Sequence, residues 1–322
     1  MEIRSPRILK ADASEILSAT ADHRKLALIW AGVSAMLSLL VAGISFLLDA
    51  QIAETGGLDG IGLRSVLDTA QSALTVLTGL FAPFWTLGYT GSILRLSRKQ
   101  PVAPSHLLGG LLRLGPAVRM LILRYFLLMG IVILGFYGGL LILGMTPLAD
   151  PVYEILNANE SFLTTGIMDD ATMAALLQAM LPTLIICGIL AMLLFIPFSY
   201  RLRLADFCIM EDPACGARMA IRKSMRMMHG RRRRLFALDL SFWWYYLAQL
   251  LLLSLCYGDV ILAALGITLP FSADAAYFIF GTLALAAQVL LYYRLSNHVQ
   301  TTYALFYNDA LPQETEQAIM PL

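Results

Sequence analysis

Ionisable residues within apolar stretches are the first candidates for chemistry in this sequence. Arg124 lies five residues after Arg119, and Asp239 lies five residues after Arg234, so both sit a short way into an apolar stretch. A charged side chain at the centre of a bilayer costs about 2.5–3.5 kcal/mol on insertion scales, and such residues usually have partners. We predict an intramembrane polar pair between Arg124 and Asp239. The alternative is that Arg124 reaches to the interface and Asp239 pairs with a neighbouring arginine.

A basic stretch, "ARMAIRKSMRMMHGRRRRLFALDLSFWWYY" (217–246), runs directly into apolar and aromatic sequence. Ten Lys or Arg residues lie between positions 201 and 234, against the acidic Asp206, Glu211 and Asp212. Each basic residue beside an anionic leaflet gains about 1 kcal/mol, which predicts contact with anionic lipid headgroups, with a protein partner as the alternative. Nucleic acid is not expected, because the charges adjoin apolar stretches and lack a nucleic-acid-binding fold. The predicted contact residues are Arg218, Arg222, Arg226, Arg231, Arg232, Arg233 and Arg234.

Motifs typical of catalysis or metal binding are missing from the sequence. It contains no nucleophile-elbow, zinc-protease or phosphate-loop motif. The four histidines and four cysteines lack the short spacings of metal ligands or of a redox pair. The middle parts of the apolar stretches hold glutamines but no carboxylate, which argues against a proton-coupled pump. We therefore predict a protein that is not an enzyme, with no catalytic residue, no cofactor and no metal.

The composition indicates that membrane helices position these residues. Hydrophobic residues make up 58% of the 322-residue chain and charged residues 14%, whereas a soluble domain has about 45–50% and about 25%. A membrane-crossing helix needs about 20 mostly apolar residues. We predict an all-α, polytopic membrane protein, a single domain over 1–322, with six transmembrane helices at 26–48, 72–94, 118–145, 174–200, 235–257 and 275–294.

The distribution of Lys and Arg orients these six spans. Cytoplasmic loops retain an excess of Lys and Arg. If the N-terminus lies inside, Arg64 is the one basic residue in the predicted outer loops, which instead carry many Asp and Glu residues. We therefore predict that both termini are cytoplasmic. The cytoplasmic parts are then an amphipathic N-terminus (1–25), the basic loop 201–234 and the tail 295–322.

Short amphipathic cytoplasmic helices are predicted before the first, third and fifth spans. Asp12 and Glu15 have the spacing of a capping box in the first helix, and the second starts at Pro104. The third is predicted to start at Asp212, with Pro213 following, and to end at Gly230. The predicted apolar faces are Ala13, Ile16 and Leu17 in the first helix, Leu107, Leu108, Leu111, Leu112 and Leu114 in the second, and Ala217, Ile221, Ser224, Met225 and Met228 in the third.

Proline and glycine motifs indicate how the spans pack. The second and fourth spans share "FAPF" (81–84) and "FIPF" (195–198), which predicts helix kinks at Pro83 and Pro197. Together with the amphipathic helices, these motifs predict three repeats of one interfacial helix and two spans, although the third repeat lacks the proline motif. Gly135 and Gly139 have GxxxG spacing, which predicts a close helix contact.

Several motifs resemble a known family. They are "YRLRLADFCIMEDP" (200–213), "AIRKSMRMMHGRRRRLFALDLSFWW" (220–244) and "TTYALFYNDAL" (301–311), and the sequence carrying them is similar to the bacterial membrane-protein family catalogued as domain of unknown function 975. Trp243 stands where the family commonly has isoleucine. The resemblance implies a multi-pass protein of the bacterial cell membrane and supplies no activity, substrate or catalytic residue. The matching positions are Ser224, Met228, Gly230, Leu240, Ser241, Phe242, Trp244, Phe306 and Tyr307.

Two functions fit the sequence. The first is a non-catalytic membrane scaffold or accessory subunit whose basic cytoplasmic surface binds anionic lipid or a protein. The second is a transporter or lipid-handling permease with a path between the repeats, near Pro83, Pro197, Arg124 and Asp239. The shortage of ionisable residues deep in the spans favours the scaffold.

Overall fold

The computed structural model describes residues 4–20, 23–54, 60–158, 170–212, 214–258, 261–262 and 273–318. All regular secondary structure in these ranges is helical, as expected when backbone polar groups must bond within their own apolar segment. A 3₁₀ turn covers Pro104–Leu108, another covers Pro147–Ala149, and a π-helical turn covers Tyr292–Ser296. The α-helices are α1 (Pro6–Ala19), α2 (His23–Glu54), α3 (Gly60–Ser97), α4 (Gly109–Leu112), α5 (Leu114–Leu143), α6 (Asp150–Ala158), α7 (Asp170–Leu202), α8 (Ala205–Glu211), α9 (Ala217–Met227), α10 (Arg232–Ser241), α11 (Trp243–Cys256), α12 (Ala273–Leu291) and α13 (Asn297–Ala318).

Several of these helices are long and apolar enough to cross a membrane. Helix α5 illustrates their surface, because Phe126, Leu134 and Leu141 are 68%, 70% and 74% exposed. A continuous apolar surface of this kind is unfavourable in water and suited to lipid. The described ranges hold four candidate spans, or five if the bent pair α10 and α11 is one span; the four are His23–Ile44, Leu114–Leu143, Ala171–Glu211 and Ile279–Leu311.

The predicted span 72–94 is not among these candidates. It lies within α3, a continuous helix of 38 residues. Threonine, glycine and tyrosine residues alternate with its leucines and lower its mean hydropathy. The total of six spans therefore remains a prediction.

The predicted span 235–257 is interrupted at Phe242. Helices α10 and α11 meet there at a bend of 65°. The Phe242 ring is buried, with Lys10 Nζ 3.9 Å from its centroid, and Lys10 Nζ also donates to the Ser241 carbonyl at 2.6 Å. A carbonyl at a helix break loses its intrahelical partner, so Lys10 compensates for the break. Because Lys10 is distant in sequence from the break, no periodic pattern in the sequence predicts this contact.

Contacts among the described residues divide the chain into two compact units. The first comprises 1–117, 204–216 and 233–322, and the second comprises 118–203 and 217–232. In the first unit, residues 301–307 of α13 are all buried, and α13 contacts α1, α2 and α3. Trp30 of α2 stacks on Tyr89 of α3, with ring centroids 4.3 Å apart. The buried last helix thus forms the centre of the first unit.

The amphipathic face of α1 is confirmed, but its predicted cap is wrong. Ala13, Ile16 and Leu17 are buried, together with Leu9. The helix begins at Pro6, so Asp12 lies in its middle instead of capping it. Proline is favoured at the first helical position, because an N–H group there would have no hydrogen-bond partner within the helix.

The segment 104–112 differs from the predicted amphipathic helix. It starts at Pro104 as predicted, but it forms a 3₁₀ turn and the four-residue helix α4, and Leu112 is 84% exposed. Glycines make its contact with α3: a Cβ on Gly110 would lie 2.0 Å from the Phe84 carbonyl oxygen, and a Cβ on Gly88 would lie 1.7 Å from the Leu107 carbonyl oxygen. The backbones approach too closely for side chains between them. Of the predicted leucine face, Leu107 is buried, whereas Leu108, Leu112 and Leu114 are exposed, so the prediction is only partly confirmed.

The glycine contact predicted in the second unit is confirmed. A Cβ on Gly135 of α5 would lie 2.8 Å from Ala191 Cα of α7, and a Cβ on Gly139 would lie 3.1 Å from Cys187 Sγ. These glycines let α5 and α7 approach closely, and close packing of this kind drives helix association where lipid removes the hydrophobic effect.

Substitution of Gly135 by alanine is expected to destabilise the second unit by about 1–3 kcal/mol, because the added methyl group meets the α7 backbone. Gly130 of the same helix is the matched control. A Cβ there meets nothing within 4 Å, so Gly130→Ala should be neutral or should stabilise by up to about 1 kcal/mol through helix propensity. Reversible unfolding in mixed micelles measures both changes. Equal stabilities of the two variants would contradict the close contact.

Candidate functional site

Helix α9 presents a basic face to its surroundings. Arg218, Arg222 and Arg226 lie at i, i+4 and i+8 and are exposed, in agreement with the predicted spacing. The opposite side is buried and includes Ile221 and Ser224. Ser224 Oγ donates to the Arg201 carbonyl at the end of α7, at 2.8 Å. The buried side and this hydrogen bond hold α9 so that its arginines point outward.

The arginine run 231–234 follows a turn. Gly230 has φ +73°, the left-handed conformation that was predicted to end the helix. Arg231 Nη1 donates to the Met227 carbonyl at 3.2 Å and thereby satisfies one free carbonyl at the end of α9. Arg231 and Arg232 are half-buried, whereas Arg233 and Arg234 are exposed.

The start of α9 differs from the prediction. The helix begins at Ala217. Asp212 accepts a hydrogen bond from the Ala214 N–H at 2.9 Å and so forms a turn before the helix instead of its cap. Pro213 lies outside the described residues.

Asp239 lies among tyrosines. Its Oδ1 accepts a short hydrogen bond from Tyr303 and one of 3.5 Å from Tyr246, and the two tyrosine oxygens are 2.5 Å apart. Arg124 lies half-buried on α5 in the second unit, and its pairing with Asp239 stays a prediction. The tyrosine partners were not predicted, because they are separated from Asp239 by 64 and 7 residues.

The two prolines predicted to kink helices lie inside continuous helices. Pro83 is half-buried within α3, and Pro197 is exposed within α7. Helix α7 also contains Pro182, which the sequence analysis did not single out. The kinks themselves remain predictions.

A polar network joins α13 to α3 and α8 in the first unit. Glu211 accepts a short hydrogen bond from the Tyr307 hydroxyl and pairs with Arg98, whose Nη2 is 2.5 Å from Glu211 Oε1. Arg98 Nε also donates to Asn308 at 3.1 Å, and Asn308 donates to Ser97 at 3.0 Å. Charge-assisted bonds of this type are stronger than neutral ones, so the network fixes α13 against the ends of two helices. The family motif marked Tyr307 but gave no partner for it.

An ion pair joins the two ends of the first unit. Arg4 bonds Asp309 of α13 through its backbone N–H, its Nε and its Nη2, and its Nη1 bonds Asp12 of α1. The hydrogen bond to Asp309 raises the pKa of Arg4, against the opposing effect of desolvation. This contact explains why α1 and α13 pack together at these positions.

A cavity of about 340 Å³ lies beside the end of α3. Its lining includes Arg95 of α3, Arg98 just after the end of α3, His106 of the 3₁₀ turn, Arg113 and Glu211. Arg113 Nη1 donates to the carbonyls of residues 209 and 210 at 2.9 and 2.8 Å, so this guanidinium satisfies carbonyls of α8. Burial and the neighbouring Arg95 charge lower the pKa of His106. No spacing in the sequence indicates that these arginines lie together, because Arg95 and Arg113 are 18 residues apart.

Replacement of Glu211 by glutamine is expected to destabilise the first unit by about 1–3 kcal/mol, because Arg98 loses its carboxylate and Tyr307 loses an ionised acceptor. Glu154→Gln is the matched control. Glu154 is exposed on α6, where the same substitution should change stability by no more than about 0.5 kcal/mol. Thermal unfolding in detergent measures both, and the pair with Arg98→Gln completes a double-mutant cycle. Additive effects would show that the network does not act as a unit.

Comparison with curated proteins and with solved structures finds no match. A family model described as "Protein of unknown function (DUF975)" matches residues 4–313. This confirms the resemblance, which rested on motifs in the basic loop and the last helix. The match covers nearly the whole chain, and the protein therefore belongs to the DUF975 family.

Proposed function

We propose that the protein is a non-catalytic membrane scaffold or accessory subunit of the bacterial cell membrane that binds anionic lipid headgroups through the basic segment 218–234. The observation that carries this proposal is the geometry of α9, which exposes Arg218, Arg222 and Arg226 on one side and buries the other. A contact with an apolar or uncharged surface would not require an arginine at each successive turn of the exposed face.

The proposed topology has six spans, with both termini and the basic segment in the cytoplasm. Helix α3 supplies the additional span, since its 38 residues exceed the about 20 that a span requires. The excess of Lys and Arg in the proposed inner loops supports this orientation. The three repeats belong to the same proposal, with α1, the segment 104–112 and α9 as their first elements; the short segment 104–112 is the least regular of the three.

Electrostatics favours anionic headgroups as the ligand of the basic segment. Each exposed arginine beside an anionic leaflet contributes about 1 kcal/mol, and salt screens the attraction over about 10 Å at 0.1 M. The arginines of α9 and of the run 231–234 would together contribute several kcal/mol at most. A protein with an acidic surface is the alternative partner, and nucleic acid is not proposed.

The placement of polar residues supports a scaffold over a permease. Arg124 and Asp239 lie near the ends of their apolar segments, and the deeper positions carry Gln178 and Gln288. Gln288 Nε2 donates to the hydroxyl of Tyr292, one turn along the same chain, at 2.9 Å. Transport of ions or protons usually uses ionisable residues within the membrane.

Simultaneous replacement of Arg231 to Arg234 by glutamine is expected to reduce the preference for phosphatidylglycerol over phosphatidylcholine by roughly 10-fold or more, because four charges near the leaflet are lost. The measurement uses the full-length protein in bilayers and the mobility of spin-labelled lipids at its surface. The wild-type preference should also weaken in 1 M salt, where screening extends over only about 3 Å.

Replacement of the same four residues by lysine is the matched control, since lysine keeps the charge at each position. This variant should retain the preference for phosphatidylglycerol. An unchanged preference in the glutamine variant, or an equal loss in the lysine variant, would refute an electrostatic lipid contact. A reporter fused to the C-terminus shows whether the glutamine variant keeps its orientation, which separates lipid binding from a role in topology alone.

A further inference from the structure

The cavity beside the end of α3 includes no residue of the basic segment in its lining. All of its lining residues belong to the first unit. Its polar lining residues include Arg95, Arg98, Arg113, Ser105 and His106. Its volume of about 340 Å³ is at the small end of ligand sites in proteins.

The charges in this cavity do not balance. Three arginines line it, and Glu211 is the one carboxylate among its lining residues. That carboxylate is shared by Arg98 and the Tyr307 hydroxyl. With His106 neutral, the lining therefore has a formal charge of +2, and part of its surface is half-buried, where charge is less screened than in open solvent.

The hydrogen bonding of His106 shows where an acceptor is missing. The Ala103 N–H donates to His106 Nδ1 at 3.0 Å, so the neutral ring carries its proton on Nε2. Arg95 Nη1 lies 3.4 Å from that Nε2. Both groups are then donors, and neither can accept from the other. An anionic oxygen placed between them would accept from both at ordinary hydrogen-bond distances.

The remaining donors lie around the same space. Arg113 uses Nη1 for the carbonyls of α8, and its planar guanidinium carries further N–H groups. Ser105 adds a hydroxyl next to His106. Arginine forks bind phosphate oxygens in a bidentate manner, and several such donors together distinguish a tetrahedral anion from a planar one.

We propose that this cavity binds a phosphomonoester, with its doubly charged phosphate between Arg95 and His106 and with Arg113 and Ser105 as further donors. A phosphomonoester carries a charge of about −1.5 to −2 near neutral pH and so matches the +2 lining, whereas a phosphodiester carries one charge and leaves one arginine uncompensated. The phosphomonoester could be the headgroup of a phosphatidic acid or a soluble organic phosphate, and the two sources share this chemistry.

The test uses the full-length protein in phosphatidylcholine nanodiscs, titrated with glycerol 3-phosphate in a calorimeter. Wild-type protein should bind one equivalent, and glycerol should not bind. Arg95→Gln should weaken binding by at least about 10-fold, because one charge-assisted contact to the phosphate is lost. Arg95 is exposed, and the carbonyl contacts of Arg113 do not depend on it, so this variant should fold. Arg7→Gln, an exposed arginine of α1 outside the cavity, is the matched control and should bind as wild type does.

A second set of nanodiscs distinguishes the two sources. If the ligand is a lipid, phosphatidic acid in the disc should be retained by the wild type and lost from Arg95→Gln, and phosphatidylglycerol should not replace it. If the ligand is soluble, glycerol 3-phosphate should bind equally well with or without phosphatidic acid. Either result supports the site.

Two results would overturn the proposal: no binding of glycerol 3-phosphate or phosphatidic acid by the wild type, or binding with equal affinity by wild type and Arg95→Gln. The variant with glutamine at 231–234 separates this site from the proposed lipid contact of the basic segment. It should keep its affinity for glycerol 3-phosphate even where its preference for phosphatidylglycerol is lost.

Discussion

The requirement that buried polar groups find partners governs the ends of the apolar helices. Backbone groups inside an apolar helix bond to one another, but those at its ends and breaks do not. Side chains from other helices fill this need repeatedly: Lys10 donates to the Ser241 carbonyl at the bend between α10 and α11, and Arg113 donates to two carbonyls of α8. In the second unit the Ser224 hydroxyl donates to the Arg201 carbonyl at the end of α7. Side chains distant in sequence therefore complete the hydrogen bonding at helix ends and breaks.

The helices within the two units are packed by different sets of contacts. In the second, the contact between α5 and α7 depends on small residues, because lipid offers no hydrophobic gain for bringing two apolar helices together. The first unit also has a glycine contact, between Gly88 of α3 and Gly110 of the segment 104–112, and it adds buried aromatic rings and hydrogen bonds that link distant parts of the chain. Tyr89 stacks on Trp30 and donates to Asn297 at 2.6 Å, and Asn297 donates to the His23 carbonyl at 2.8 Å. This single chain of contacts joins α2, α3 and α13.

Features that repeat locally could be predicted from the sequence, and features that depend on distant partners could not. The face of α1, the contact at Gly135 and Gly139 and the exposed arginines of α9 follow from helical spacing alone. The bond between Tyr307 and Glu211 joins residues 96 positions apart, and the pair Arg98 and Glu211 joins residues 113 apart. No periodic pattern encodes such pairs. The segment 104–112 differs for a second reason, since much of its contact is made by glycine backbone, whereas of the predicted leucine face only Leu107 is buried among Leu107, Leu108, Leu112 and Leu114.

Contacts between residues distant in sequence also explain why a count of basic residues overestimates the number of side chains that are available to lipid. Arg4 is committed to Asp309 and Asp12, Arg98 to Glu211, and Arg113 in part to backbone carbonyls. The hydrogen-bonding groups of these side chains are largely used within the protein. The arginines of α9 differ because their helix buries its other side and leaves them exposed. Arg95 differs again, because it is exposed at the edge of a cavity and faces another donor. Positive charge in this protein thus caps helix ends. Under our two proposals it also attracts a membrane surface and binds one anion at a localised site, and composition alone does not separate these roles.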